Sequence, residues 1–151
     1  MRLVVDANIL VAELLRKRGR DLIVSKNLEL FLAEKMKDEV QYELQKRIAI
    51  IVSKTNLTQE LGQLQLEAAL RLIDSKIMTF PLFFYQSFEE EARKRIPRDP
   101  NDWEAIALAL ALPAAIWTED YDFFGCGCST WTTQTLLLQI NYSVFRTHEV
   151  Q

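Results

Sequence analysis

The sequence predicts an α/β domain: a parallel β-sheet of about five strands flanked by helices on both faces. Three observations predict it. Short β-rich apolar runs alternate with segments of helical periodicity along the chain, the pattern of strand–helix–strand crossovers over a doubly covered parallel sheet. The 151 residues, 49% hydrophobic and 26% charged, are enough for one domain with a substantial core and leave little room for a second. No internal repeat and no linker interrupts them, so residues 1–151 are read as a single domain.

The elements follow in order. Leu3-Val4-Val5 is a first strand, and the stretch from Ile9 to Leu15 has helical spacing. In the basic knot Arg16-Lys17-Arg18-Gly19-Arg20 the glycine suggests a helix end. Leu28-Glu29-Leu30-Phe31-Leu32 reads as a second strand. Met36, Val40, Leu44, Ile48 and Ile51 recur every four or three residues, which is one face of a helix reaching about Val52. Asn56 with Gln59 forms a capping box that opens another helix through Leu61, Leu64, Ala68 and Leu72. Ile77-Met78-Thr79-Phe80 is a third strand stopped by Pro81, and a short helix is expected from Phe88 to Ile96. Asp99-Pro100-Asn101-Asp102 starts a helix, with Asp99 as cap and Pro100 at the first position. That helix ends at Pro113; Ala114-Ala115-Ile116-Trp117-Thr118 is a fourth strand and Tyr142-Ser143-Val144-Phe145-Arg146 a fifth.

Composition excludes several classes of function. Four glycines and four prolines rule out collagen-like and low-complexity chains. No apolar run reaches the roughly 18 residues of a membrane span, and strand-like sequence from Leu3 leaves no space for a signal peptide. A cytoplasmic protein with no membrane partner is the expectation. Cys126-Gly127-Cys128 and the single histidine, His148, cannot complete a tetrahedral zinc site, and His148 is read as incidental. The net charge of −3 argues against holding nucleic acid by bulk charge alone. Its distribution is uneven: residues 99–151 carry one basic side chain, Arg146, against seven acids, while residues 1–98 have a balance of +3.

Several of these acids do not fit a core. Asp6 ends an apolar strand, where an unpaired carboxylate is costly to bury. Asp120 lies just past the fourth strand, and the carboxyl ends of parallel strands share one edge, where ligands bind. Asp102 opens the helix that feeds the fourth strand. Glu39 lies early in the helix after the second, with Glu43 one turn further on the same side. Taken alone, Asp99 is a cap, Glu39 and Glu43 a solvated helix face, and Asp122 a turn residue. Together they imply carboxylates converging on one rim. Two unit charges about 5 Å apart repel by about 3 kcal/mol at an effective dielectric near 20. Protons or a cation must neutralise such a cluster, and a divalent ion with hard oxygen ligands, Mg²⁺ or Mn²⁺, is the economical answer.

Val4-Val5-Asp6-Ala7-Asn8-Ile9-Leu10, the helical Glu39-Val40, Arg98-Asp99-Pro100-Asn101-Asp102-Trp103 and Ile116-Trp117-Thr118-Glu119-Asp120-Tyr121-Asp122-Phe123 resemble, in order and spacing, the four acidic motifs of the PIN-domain ribonucleases. That family includes the toxins of bacterial VapBC-type toxin–antitoxin pairs. The resemblance implies metal-dependent hydrolysis of RNA phosphodiester bonds, with Asp6, Glu39, Asp102 and Asp120 as the catalytic acids. Asp6, Asp102 and Asp120 would hold Mg²⁺ or Mn²⁺, with Asp122 as an auxiliary acid. Glu39 would hold a second ion or orient the attacking water. Asn8 and Thr118 match positions that orient the acids; Asn8 stands where Thr or Ser is often found. The resemblance also makes a homodimer and a cognate antitoxin expected partners.

Substrate phosphates need cations. Arg16, Lys17, Arg18 and Arg20 form one candidate patch. Arg93, Lys94, Arg95 and Arg98 form the preferred one, because they lead directly into the Asp102 segment. Two other rim-acid folds fit poorly. A phosphoacceptor receiver wants an acidic pair after the first strand and a lysine after the last, but Ala7 follows Asp6. A haloacid-dehalogenase-type phosphatase wants Asp-x-Asp, but position eight is Asn8. The alternative that remains is a catalytically silent PIN fold that binds RNA or a protein.

Overall fold

The computed structural model describes the backbone of residues 1–149 and the side chains of residues 1–141. Five strands, β1 (Arg2–Val5), β2 (Glu29–Ala33), β3 (Ile77–Phe80), β4 (Ala115–Trp117) and β5 (Thr130–Trp131), form one sheet in the order β3-β2-β1-β4-β5. Every pairing is parallel. The chain leaves β1 for β2 and β3 on one side, then crosses to β4 and β5 on the other. The order of strands therefore reverses between β1 and β4, and at such a switch point the connections diverge and leave a crevice beyond the strand ends.

The central strand explains itself. Leu3, Val4 and Val5 are each fully buried, so β1 has no solvent face and its apolar run is continuous. Between strands run α1 (Ala7–Leu14), α2 (Lys17–Ile23), α3 (Glu34–Lys54), α4 (Gln59–Lys76), α5 (Leu82–Tyr85), α6 (Glu89–Arg95) and α7 (Trp103–Ala111), with α8 (Thr133–Glu149) after β5. Met36, Val40, Leu44 and Ile48 are the buried side of α3, at the spacing of four that a single helical stripe requires. Helix α7 is apolar nearly all round and buried nearly all round; it lies against β1, β2 and β4. Asp99 caps the 3₁₀ turn Pro100–Asp102, its side chain accepting from the Asn101 N–H, and that turn leads straight into α7. This connection carries Asp102 to the carboxyl edge of the sheet. Helices cover both faces, as the sequence predicts.

Three local expectations are corrected. The fifth strand is Thr130–Trp131, not Tyr142–Arg146, and residues 142–146 continue α8. The β-rich composition of Tyr142 to Phe145 yields to a helix that Thr132 starts, the Thr135 N–H donating to Thr132 Oγ1 at 3.2 Å and the Thr132 N–H to Thr135 Oγ1 at 2.9 Å. Gly19 does not end a helix but lies inside α2. The cap of α4 is Thr58, whose hydroxyl accepts from the Leu61 N–H, rather than Asn56. The side chain of His148 lies outside the described residues. Among the described residues no helix is long and apolar enough to cross a membrane.

Candidate active site

Parallel pairing of β1 with β4 puts Val5 beside Trp117, and the next residue of each strand, Asp6 and Thr118, at the same edge. The Asp6 N–H still donates to the Trp117 carbonyl at 3.0 Å, so the ladder runs to the last residue before the crevice. Asp6 is only 6% exposed. Its Oδ2 accepts from the hydroxyl of the fully buried Thr118 at 3.0 Å, and the same hydroxyl accepts from the Asp120 N–H at 3.0 Å. One threonine thus holds a carboxylate from the start of the chain and the backbone of an acid near its end. Asp120 Oδ1 in turn accepts from the Asp122 N–H at 2.9 Å, which tightens the 3₁₀ turn Tyr121–Phe123.

The remaining acids approach from the helices. A small cavity of about 30 Å³ is lined by Asp6, Asn8, Glu39, Asn101, Asp102 and Glu104, among others. Asp120 lies on the neighbouring cleft of about 900 Å³, whose lining shares Asp6 and Asn8 with the small cavity. Burial raises Asp6 from an ordinary 3.8 to about 6, with the charges of Asp120 and Glu39 adding to it against the Thr118 hydrogen bond and the Asn8 N–H. Asp102 is pushed up to about 7 by burial first, then by Asp99, Asp6, Asp120 and Glu39. Acids from four separated segments therefore feel one another, as carboxylates sharing one crevice do.

The other sequence candidates divide. Glu39 is exposed but faces the small cavity, whereas Glu43 lines neither cavity. Asp122 points into a separate pocket with Arg95 and Arg98, and pairs with Arg98 at 3.7 Å. Arg93, Lys94 and Arg95 pair with Glu89, Glu90 and Glu91 one helical turn back, at 2.9, 3.2 and 3.0 Å. Arg93 also lies over the Trp103 ring, and Arg95 donates to the Cys126 carbonyl. None of these three reaches the acid-lined cavities. Glu104 was missed: it shares the small cavity, and its carboxyl is raised chiefly by burial, with Glu39 contributing and Lys35 and Arg93 opposing. The signal was present as an acid two residues after Asp102, but at that place in a helix it reads as dipole compensation.

The donor set suits a hard divalent cation. Carboxylates dominate it, partly buried and mutually repelling, with the amides of Asn8 and Asn101, around a space the size of one water or ion. The carboxylates face a common space without closing into a finished ligand set: among the described residues no three His, Cys, Asp or Glu side chains have that spacing.

Comparison with known proteins agrees with this architecture. The PIN domain family model matches residues 4–141. The chain belongs to the PIN-domain family. Its fold is similar to that in a crystal structure of VapBC2 from Rickettsia felis bound to a DNA fragment from their promoter, at 15% identity and a TM-score of 0.62 over 87% of this chain and 98% of that one. It is also similar to the fold in FitAcB from Neisseria gonorrhoeae, at 16% identity and a TM-score of 0.58 over 89% and 99% of the two chains. The search of curated proteins found no match.

Proposed function

We propose that this protein is an endoribonuclease that hydrolyses RNA phosphodiester bonds with the help of Mg²⁺ or Mn²⁺. The observation that carries the reading is the gathering of Asp6, Glu39, Asp102 and Asp120 at the switch point, with two of them held well above the usual carboxylate range. An evolved fold keeps so unfavourable a cluster where the charges have work to do. Membership of the PIN-domain family supports it.

In this reading Asp6, Asp102 and Asp120 would hold the cation, and Asp122, paired with Arg98 in the adjoining pocket, would be an auxiliary acid on the Asp120 turn. When bound, the ion supplies Lewis-acid polarisation of the phosphoryl group and a water of lowered pKa. The chain's own groups do the rest. Thr118 fixes the Asp6 carboxylate and the Asp120 backbone in one geometry, so neither has to be ordered during the reaction. Asn8 lines both cavities beside Asp6, where its N–H helps to hold the Asp6 carboxyl's pKa down. Glu39, exposed to solvent at the cavity wall, accepts the proton of the attacking water or orients it.

A toxin role with an antitoxin partner belongs to the same proposal, supported by fold likeness to the VapBC2 complex, and a homodimer is its proposed working form. The second reading, a PIN fold that binds RNA or protein without cutting it, draws on the open spacing of the carboxylates. Incubation of purified protein with a panel of single-stranded RNAs in Mg²⁺, Mn²⁺ or EDTA separates the two. The nuclease reading expects cleavage with metal, none with EDTA, and none from Asp6→Asn in any buffer. Cleavage that survives chelation refutes it, and Arg- or Lys-dependent binding without cleavage selects the second reading.

A further inference from the structure

The larger cleft is not lined by acids alone. Beside Asp6, Glu119 and Asp120 it is lined by Arg16 and Arg18, with Thr132 just before α8 and Gln134 in its first turn. Both guanidiniums converge on Glu13, whose side chain is 1% exposed: Arg16 Nη1 lies 3.4 Å and Arg18 Nη2 3.5 Å from its Oε1. The Thr133 hydroxyl donates to the same oxygen at 3.3 Å and itself accepts from the Trp117 indole N–H at 3.1 Å. Glu13 Oε2 finds no hydrogen-bond partner among the described residues. A carboxylate this deeply buried is costly unless cations answer it, and two long side chains answer it while staying 57% and 54% exposed.

Gly19 makes that convergence possible. A Cβ there would overlap the carbonyl oxygen and Cα of Glu13, so only glycine lets α2 sit directly on the end of α1. The elbow between the helices brings Arg16 and Arg18 over Glu13 while both stay more than half exposed. Each guanidinium has five N–H donors; Arg16 donates one to Glu13 and Arg18 stays in ion-pair range of it. Both side chains line the cleft.

Charge accounting favours this elbow over α6. The three cations of α6 meet three glutamates one to one, with acids in the first turn and bases in the last, which is how a helix stabilises itself. At the elbow four cations (Arg16, Lys17, Arg18, Arg20) meet two carboxylates, Glu13 and Asp21, and Arg20 caps the Leu14 carbonyl. One surplus positive charge stays on the Arg16–Arg18 pair, which lines the cleft that reaches Asp6 and Asp120, and the other on Arg20.

We propose that Arg16 and Arg18, pinned over buried Glu13, form a phosphate-binding arm that holds the RNA strand flanking the scissile bond in the cleft. This rests on the nuclease reading for its substrate, but not on cleavage for its test. A fluorescein-labelled single-stranded RNA of mixed sequence is bound to the full protein in EDTA, and anisotropy is followed against salt. Arg16→Gln and Arg18→Gln are measured separately, so that one counterion stays on Glu13 and the fold is kept. Each is expected to weaken binding by about tenfold, the scale of a charge-assisted hydrogen bond, and to flatten the salt slope by about 0.7. The double variant Arg93→Gln with Lys94→Gln is expected to bind like the parent. In the metal-loaded cleavage assay the arm variants raise KM and leave kcat nearly unchanged. Unchanged affinity and salt slope in both arm variants overturn the arm, whatever their melting temperatures, as does a larger loss from the α6 variant. A parent that cleaves RNA while both arm variants keep its KM overturns the arm alone. A parent whose binding depends on these arginines but which never cleaves overturns the nuclease reading alone. A parent that neither binds nor cleaves overturns both.

Discussion

Thr118 donates its hydroxyl hydrogen to Asp6 across 112 residues of sequence, at 3.0 Å, and accepts from the backbone of Asp120 with the same oxygen. Two strands that are neighbours only in space are tied at their carboxyl ends by this one side chain. Replacing it tests the tie. Thr118→Val keeps the shape and removes both hydrogen bonds, leaving a buried carboxylate oxygen and an amide unpaired. A loss of about 1–3 kcal/mol in stability is expected, measured by urea unfolding, with a fall in kcat of at least tenfold. Thr118→Ser restores most of both.

The raised pKa values set a pH dependence whose sign is fixed. Asp6 and Asp102 titrate near 6 and 7 in the folded chain, against an ordinary 3.8, so the native state binds more protons than the unfolded state between about 4 and 7. Stability contributed by these groups is therefore present at low pH and is lost as pH rises through that window. In EDTA the melting temperature is expected to fall from pH 5 to pH 8. Mn²⁺ should reverse the trend, because a cation that binds only the folded carboxylates stabilises more as the competing protons leave. A melting temperature that rises steadily from pH 5 to pH 8 in EDTA contradicts the clustering.

Asp6→Asn separates function from stability in one variant. It removes a charge that burial and two neighbouring acids oppose. The expected outcome is loss of RNA cleavage together with an unchanged or higher melting temperature at pH 8 in EDTA. A variant that loses activity because it unfolds would contradict the electrostatic picture.

Glu39 and Glu43 sit one turn apart on α3, but only Glu39 lines the small cavity. Glu39→Gln is expected to reduce kcat by at least tenfold with little change in stability, and Glu43→Gln to leave both within twofold. Single-turnover cleavage of one RNA by both variants checks this.

Much of the fold was readable because strands and helices alternate with distinct periodicities, and because Asp6 and Thr118 end runs that can only be strands. The end-of-strand acids were readable for the same reason: parallel topology sends every such residue to one edge. What escaped was short or non-local. Strand β5 has two residues, too few for any period, and it pairs through Thr118 N–H to the Trp131 carbonyl at 3.0 Å. Tyr142 to Phe145 have strand-like composition, yet they extend a helix whose cap lies ten residues earlier at Thr132. Glu13 with Arg16 three residues on reads as a surface ion pair. Its burial is set by Thr133, 120 residues away, and by the close seat of Gly19. The basic run before Asp102 reads as a substrate patch; in the structure Arg93, Lys94 and Arg95 pair one to one with Glu89, Glu90 and Glu91, and Arg98 with Asp122.

Direct titration of Mn²⁺ into the purified protein, followed by electron paramagnetic resonance of the free ion, tests the shared cation site itself. The account predicts saturable binding by the parent that Asp6→Asn and Asp102→Asn each weaken by at least tenfold, while Asp74→Asn on α4 leaves it intact. Binding that is absent from the parent, or equal in all four proteins, would contradict it.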